Sequence, residues 1–118
     1  MEWRIIDHTD TLKRIIADSE PEGNYSLVFK HSTRCPISAM ALHRLERAWT
    51  EQINVHPYFL DLIRHRDISN DIAESFGVMH ESPQLLLLDK GKVVYHASHN
   101  AITFDALKSF MAQYMQIT

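Results

Sequence analysis

The stretch Phe29-Lys30-His31-Ser32-Thr33-Arg34-Cys35-Pro36-Ile37-Ser38 contains the single cysteine of this 118-residue sequence. The residues at 25–30 are rich in aromatic and aliphatic side chains and predict a buried strand. From Pro36 to about Trp49, apolar residues recur at helical spacing and predict an amphipathic helix. Cys35 therefore lies between a strand and a helix, where open α/β sheets collect their ligand-binding and catalytic groups.

The position of Cys35 favours its reactive, deprotonated form. If Cys35 precedes the first helical residue, Pro36 takes the position where a missing N–H costs nothing. The free N–H groups of the first turn, together with the positive charges of Arg34 and Lys30, then stabilise the thiolate relative to the thiol. The thiolate is the nucleophile of thiol–disulfide exchange. We therefore interpret Cys35 as a nucleophile rather than as a small residue of the core.

Ser38 occupies the position that the second thiol of a C-x-x-C motif would take. Its hydroxyl can donate a hydrogen bond to the Cys35 sulfur, or it can be an ordinary serine of a first helical turn. In neither case can it form a disulfide. With one cysteine in the sequence, the chain has no intramolecular disulfide partner for Cys35.

The rest of the chain predicts an alternation of helices and strands. Helical spacing of apolar residues predicts three further helices, over 9–19, 68–76 and 103–114. Short apolar runs predict four further strands, at 3–6, 56–62, 84–88 and 92–96. The last two strands are separated by Asp89-Lys90-Gly91, a turn typical of an antiparallel hairpin. The order βαβαβαββα indicates an α/β domain over residues 1–118, with a central mixed sheet flanked by helices.

Composition excludes several classes of function. Twelve Lys and Arg against fifteen Asp and Glu give a net charge of −3, which leaves no domain-wide positive field for nucleic acid or an anionic membrane. No run of 18 apolar residues is present, and the N-terminus lacks the layout of a signal peptide, so we expect a cytoplasmic protein. The histidines form no helical pair with metal-ligand spacing, so we expect no metal site built from protein ligands alone.

Four segments together resemble a known fold over essentially the whole chain. They are residues 29–38, Phe76-Gly77-Val78, Ser82-Pro83-Gln84 and Asp89-Lys90-Gly91-Lys92. This combination resembles the thioredoxin-like fold. Within it, the segment Lys-His-Ser-Thr-x-Cys-Pro-Ile-Ser is similar to that of the monothiol bacilliredoxins, the YtxJ-type bacillithiol-system proteins of bacteria.

The resemblance implies an enzyme whose Cys35 attacks a mixed disulfide between a protein and bacillithiol, takes the bacillithiol onto itself and releases the repaired protein thiol. It implies no tightly bound cofactor. Bacillithiol or a similar low-molecular-weight thiol is the co-substrate, bacillithiolated proteins are the partners, and such a thiol or another redoxin is the reductant. The cis-proline of the family corresponds to Pro83, so that the Ser82 backbone faces Cys35 and pairs with an extended substrate strand. Ser38, Ser82 and Gln84 depart from the broader thioredoxin pattern.

Two other classes of function remain open. The first is a carrier of an iron–sulfur cluster with an external thiol, as monothiol glutaredoxins with Cys-Gly-Phe-Ser are. Pro36 and Ile37 stand in place of that Gly-Phe and argue against this class, which a colourless purified protein would exclude. The second is a non-catalytic thioredoxin-like adaptor, in which Cys35 would be dispensable. The alkylation rate of Cys35 distinguishes such an adaptor from an enzyme.

Overall fold

A computed structural model describes residues 1–50 and 54–117. The strands and helices follow the order predicted from the sequence. They are β1 (Arg4–Ile5), α1 (Thr11–Asp18), β2 (Tyr25–His31), α2 (Pro36–Ala48), β3 (Val55–Asp61), α3 (Arg66–Phe76), β4 (Gln84–Asp89), β5 (Lys92–Ser98) and α4 (Phe104–Ile117). A short 3₁₀ helix, His99–Ala101, joins β5 to α4. The expectation of an α/β fold with helices around a mixed sheet is confirmed.

The five strands form one mixed sheet in the order β1-β3-β2-β4-β5. Strands β1 and β2 both run parallel to β3, whereas β4 runs antiparallel to β2 and β5 antiparallel to β4. The predicted hairpin is therefore present, and Lys90 and Gly91 both adopt the positive φ that its tight turn requires. Strand β2 lies in the centre, so the segment that carries Cys35 leaves from the middle of one end of the sheet.

The two faces of the sheet pack against different helices. Successive side chains of a strand point to opposite faces, and every residue of β2 is buried. Phe29 packs in a core with α2 and α4, which includes Leu45 and Leu107. Val28 packs in a second core with α1 and α3, which includes Ile15 and Ile72. Residues 29 and 31 therefore face α2, and residues 28 and 30 face α3.

The ends of several elements differ from the predicted ones. Strand β1 has two residues rather than four, because it lies at the sheet edge and pairs only with Tyr58 and Phe59 of β3. Strand β5 continues to Ser98, two residues beyond the prediction, because its pairing with β4 extends to Gln84. Helix α4 begins as predicted: the Thr103 hydroxyl accepts a hydrogen bond from the Ala106 N–H at 3.1 Å.

Candidate functional site

Cys35 is the residue that immediately precedes helix α2. Its backbone is extended, with φ −111° and ψ 114°, and Pro36 is the first helical residue. The Cys35 carbonyl accepts the first helical hydrogen bond from the Ala39 N–H at 3.2 Å, and the Cys35 N–H donates to the Ser32 carbonyl at 3.1 Å. The cysteine is free and partly exposed. The thiol thus lies where the unpaired N–H groups and the positive end of the α2 dipole act on it.

Ser38 makes hydrogen bonds that its position in the sequence did not predict. It is fully buried, and its Oγ accepts a hydrogen bond from the Ser32 N–H at 3.0 Å. The same Oγ lies 2.7 Å from His31 Nδ1. Among residues 1–50 and 54–117 no hydrogen bond joins it to the Cys35 sulfur. The hydroxyl instead ties the first turn of α2 to the end of β2 and to the loop before Cys35.

His31 completes this buried pair. Its ring lies 6.1 Å from that of Phe29 and 5.4 Å from that of Phe59, measured between centroids. Burial lowers the pKa of His31, although the carboxylates of Asp61 and Glu46 oppose the shift. A neutral His31 can accept a hydrogen bond from the Ser38 hydroxyl at Nδ1. The sequence pattern assigned His31 no role; the signal for its position was the strand face that it shares with Phe29.

The two cations expected to support Cys35 lie in different environments. Arg34 is exposed and adjacent to Cys35 in the chain. Lys30 is fully buried and faces α3 rather than α2, and its ammonium donates to the Ser69 carbonyl at 3.1 Å and to His80 Nδ1 at 3.4 Å. Burial lowers the pKa of Lys30 to about 8. The structure does not bring the Lys30 charge to the face of α2, because strand alternation turns it away.

Ser82 and Pro83 lie at the same end of the sheet as Cys35. The Ser82–Pro83 peptide bond is cis, as the resemblance implied. Gln84 pairs with Lys30 in the antiparallel register of β4 and β2. Continuing that register by two residues brings Ser82 level with Ser32, three positions before Cys35. The resemblance implies that the Ser82 backbone faces Cys35, and this stays a prediction.

Hydrogen bonds hold the chain on both sides of Ser82, at Met79 and at Pro83. Gln84 Nε2 donates to the Met79 carbonyl at 3.0 Å, and the His99 N–H donates to the Pro83 carbonyl at 3.2 Å. In the part of the chain that the structure describes, the Ser82 main chain makes no hydrogen bond to another residue.

Exposed apolar side chains accompany this site. Ile37 and Met40 on α2 and Met79 before Pro83 are 51%, 66% and 84% exposed. Within the described ranges, no group of three His, Cys, Asp or Glu side chains is arranged to hold a metal ion. None of the helices described is long and apolar enough to span a membrane.

A comparison with family models matches residues 4–107 to the monothiol bacilliredoxin BrxC family. The chain belongs to the monothiol bacilliredoxin BrxC family. This match covers most of the sequence and includes Cys35, Ser38, Ser82 and Pro83, so the resemblance inferred from the motifs is confirmed. Membership of a bacilliredoxin family implies a bacillithiol-related thiol substrate.

Solved structures confirm the thioredoxin fold. A protein described as having a thioredoxin fold is 30% identical to this bacilliredoxin-family chain, with 89% of each chain covered and a TM-score of 0.76. Malassezia sympodialis thioredoxin is 13% identical, with 95% of this chain and 90% of that chain covered and a TM-score of 0.71. Fasciola hepatica thioredoxin is 15% identical, with 93% and 97% covered and a TM-score of 0.70. Fold and family together make the protein a redox protein of the thioredoxin-like oxidoreductase type.

Proposed function

We propose that the protein is a thiol–disulfide oxidoreductase that uses Cys35 alone to remove bacillithiol from protein mixed disulfides. The observation that carries the proposal is the placement of a partly exposed single cysteine at the N-terminus of α2. At the same end of the sheet lies Ser82, whose main chain makes no hydrogen bond to another described residue. Membership of the bacilliredoxin family supports the choice of bacillithiol.

The proposed reaction is a single thiol–disulfide exchange at Cys35. The Cys35 thiolate attacks the bacillithiol sulfur of the mixed disulfide, and the new S–S bond joins Cys35 to bacillithiol. The old S–S bond breaks, and its electron pair leaves on the sulfur of the substrate protein, which takes a proton from water. Because Ser38 is a hydroxyl residue, Cys35 keeps the bacillithiol until a second thiol arrives.

Regeneration of Cys35 requires a thiol from outside the chain. A low-molecular-weight thiol or another redoxin attacks the bacillithiol sulfur, forms a new disulfide with it and releases Cys35 as a thiolate. The cycle is a net thiol–disulfide exchange: the incoming thiol leaves as a disulfide with bacillithiol and the substrate sulfur leaves as a thiol, so the protein needs no tightly bound cofactor. A reducing compartment that maintains such thiols is the cytoplasm, which we propose as the location.

The substrate protein binds as an extended strand against Ser82. Main-chain pairing of this kind gives affinity that does not depend on the substrate sequence. The exposed side chains of Ile37, Met40 and Met79 add apolar contact, and methionine adapts its shape to different partners. This combination fits an enzyme that acts on many bacillithiolated proteins rather than on one.

Intact-mass measurement tests the proposed function. The protein is incubated with an excess of a bacillithiolated protein and no other thiol. We expect one bacillithiol adduct per molecule and an equal amount of released substrate thiol, and no adduct on Cys35→Ser. The same substrate carrying glutathione, at the same concentration, measures the preference for bacillithiol. Sustained turnover without an added thiol, or an adduct on Cys35→Ser, would contradict the mechanism.

A further inference from the structure

A buried polar cluster lies on the α3 face of the sheet, beneath the segment that carries Ser82. Its centre is Lys30, which is fully buried. No carboxylate forms an ion pair with Lys30 among the residues that the structure describes. A buried cation without a counter-charge costs stability, so core packing does not explain a lysine at this position.

The hydrogen bonds of Lys30 define the state of His80. The ammonium lies 3.4 Å from His80 Nδ1, and the Ser69 hydroxyl lies 3.2 Å from the same nitrogen. An ammonium has no acceptor atom, so Nδ1 is the acceptor and the ring proton is on Nε2. The His80 ring is exposed overall, yet this nitrogen is turned inward. His80 is therefore held from inside the protein in its neutral form.

His80 belongs to the segment of residues 79–83. Among the described residues, every member of this segment except Ser82 makes a hydrogen bond to another residue. The carbonyls of Met79 and Pro83 accept hydrogen bonds from Gln84 and His99. The Ser98 hydroxyl donates to the carboxylate of Glu81. Of the hydrogen bonds among the described residues, those of the His80 side chain link the segment to β2 and α3, through Lys30 and Ser69. In the part of the chain that the structure describes, the main chains of His80, Glu81 and Ser82 make no hydrogen bond, and His80 and Glu81 are attached through their side chains. A displacement of His80 therefore moves the main chain that the substrate uses.

We infer that His80 is a positioning residue for substrate capture: held at Nδ1 by Lys30, it fixes the segment that presents the Ser82 main chain, and protonation of its ring releases that segment. The inference rests on the proposed function, because only a substrate that pairs with Ser82 requires this segment to be fixed. It assigns His80 no contact with the reacting sulfur. Small reagents that reach Cys35 directly are unaffected by it.

The direction of the pH effect follows from the charges around His80. Lys30 faces it from β2, Arg66 from α3, and Glu81 from its own segment. Burial, Lys30 and Arg66 lower the pKa of His80, and Glu81 opposes them. The ring therefore stays neutral at neutral pH and takes its proton only in acid. Once Nδ1 is protonated, the His80 ring is a second cation beside the Lys30 ammonium, and the hydrogen bond between them is lost. Above the Lys30 pKa of about 8, the neutral amine still donates, so the attachment survives in alkali.

Two variants of His80 distinguish the effect of its hydrogen bond to Lys30 from the effect of protonating its ring. Asn carries its Oδ1 near the position of Nδ1, so His80→Asn keeps an acceptor for Lys30 but cannot be protonated. His80→Ala keeps neither. The rate of bacillithiol transfer from a bacillithiolated protein is measured from about pH 5 to about pH 8, beside iodoacetamide alkylation of Cys35. His96→Asn, at an exposed histidine of β5, is the matched control.

We expect His80→Ala to lower transfer at neutral pH roughly tenfold through a higher KM, the loss that one charge-assisted hydrogen bond predicts, with alkylation unchanged. His80→Asn should match wild type at neutral pH. In acid its transfer should fall only as far as alkylation of Cys35 falls, because protonation of the thiolate remains, whereas wild-type transfer should fall further. Lys30→Met should lower transfer less than His80→Ala, because the Ser69 hydroxyl still bonds Nδ1, and the protein should remain folded, because replacing a buried charge by an apolar chain is often neutral or stabilising.

Wild-type rates for both His80→Ala and Lys30→Met would overturn the inference and leave the proposed function intact. If transfer by His80→Asn falls in acid beyond its own alkylation rate as far as wild-type transfer does, the role of the ring proton is overturned. Wild-type protein that accepts no bacillithiol would overturn the proposed function, and this inference with it.

Discussion

Replacement of Ser38 by Ala should destabilise the protein while leaving its chemistry intact. Ser38 is fully buried, and its Oγ serves two buried groups, the Ser32 N–H at 3.0 Å and His31 Nδ1 at 2.7 Å. Ser38→Ala leaves both without a partner. Each unsatisfied buried group costs about 1–3 kcal/mol.

The magnitude follows from these two groups and the size of the domain. Because the partly exposed Cys35 lies close in the chain, water can recover part of the loss, and we expect a total of about 2–3 kcal/mol. An unfolding entropy of about 2.1 cal/mol/K per residue then converts this loss, over the 118 residues, into a fall in Tm of roughly 10 °C.

Thermal unfolding followed by circular dichroism measures this effect. Ser109→Ala, at an exposed position of α4, is the control and should remain within about 2 °C of wild type. The double variant Ser38→Ala/His31→Phe should lose less stability than the sum of the two single variants, because both partners of the hydrogen bond are then removed together. The new ring packs beside Phe29 and Phe59.

The same Ser38→Ala protein should still accept one bacillithiol at Cys35 when assayed below its Tm. Its hydroxyl makes no bond to the sulfur in the described chain, so the attacking group is unchanged. A Tm within about 2 °C of wild type, or a complete loss of adduct formation by the folded variant, would refute this account of Ser38.

Further predictions concern the nucleophile and the core. Arg34→Ala should slow iodoacetamide alkylation of Cys35 less than about threefold, since an exposed charge acts weakly through water; a much larger loss would mean that Arg34 contacts the sulfur. Wild-type protein given excess substrate should stop after one adduct per molecule and resume only when a low-molecular-weight thiol is added, as released substrate thiol will report. Phe29→Ala should lower the free energy of unfolding by about 3–5 kcal/mol in urea titration, because Phe29 is fully buried against Trp3 and Phe59; a loss under about 1 kcal/mol would contradict the assigned core.

The sequence by itself determined the local features of this protein. The apolar run of β2, the helical spacing after Pro36 and the Asp89-Lys90-Gly91 turn each lie within a few residues, and each element formed where its pattern indicated. The position of Cys35 before the first helical turn is local in the same sense. The resemblance added Pro83, whose importance no local periodicity reveals.

Only the tertiary structure decided which side chains meet. Lys30 and His31 are neighbours in the sequence, but strand alternation sends one to Ser69 and His80 and the other to Ser38. Hydrogen bonds between residues far apart in the chain depend on how strands and helices pack, and a local pattern contains no record of that packing. For this reason the sequence could place a reactive cysteine at a helix start, whereas the fixing of the Ser82 segment by a buried lysine became visible only in the fold.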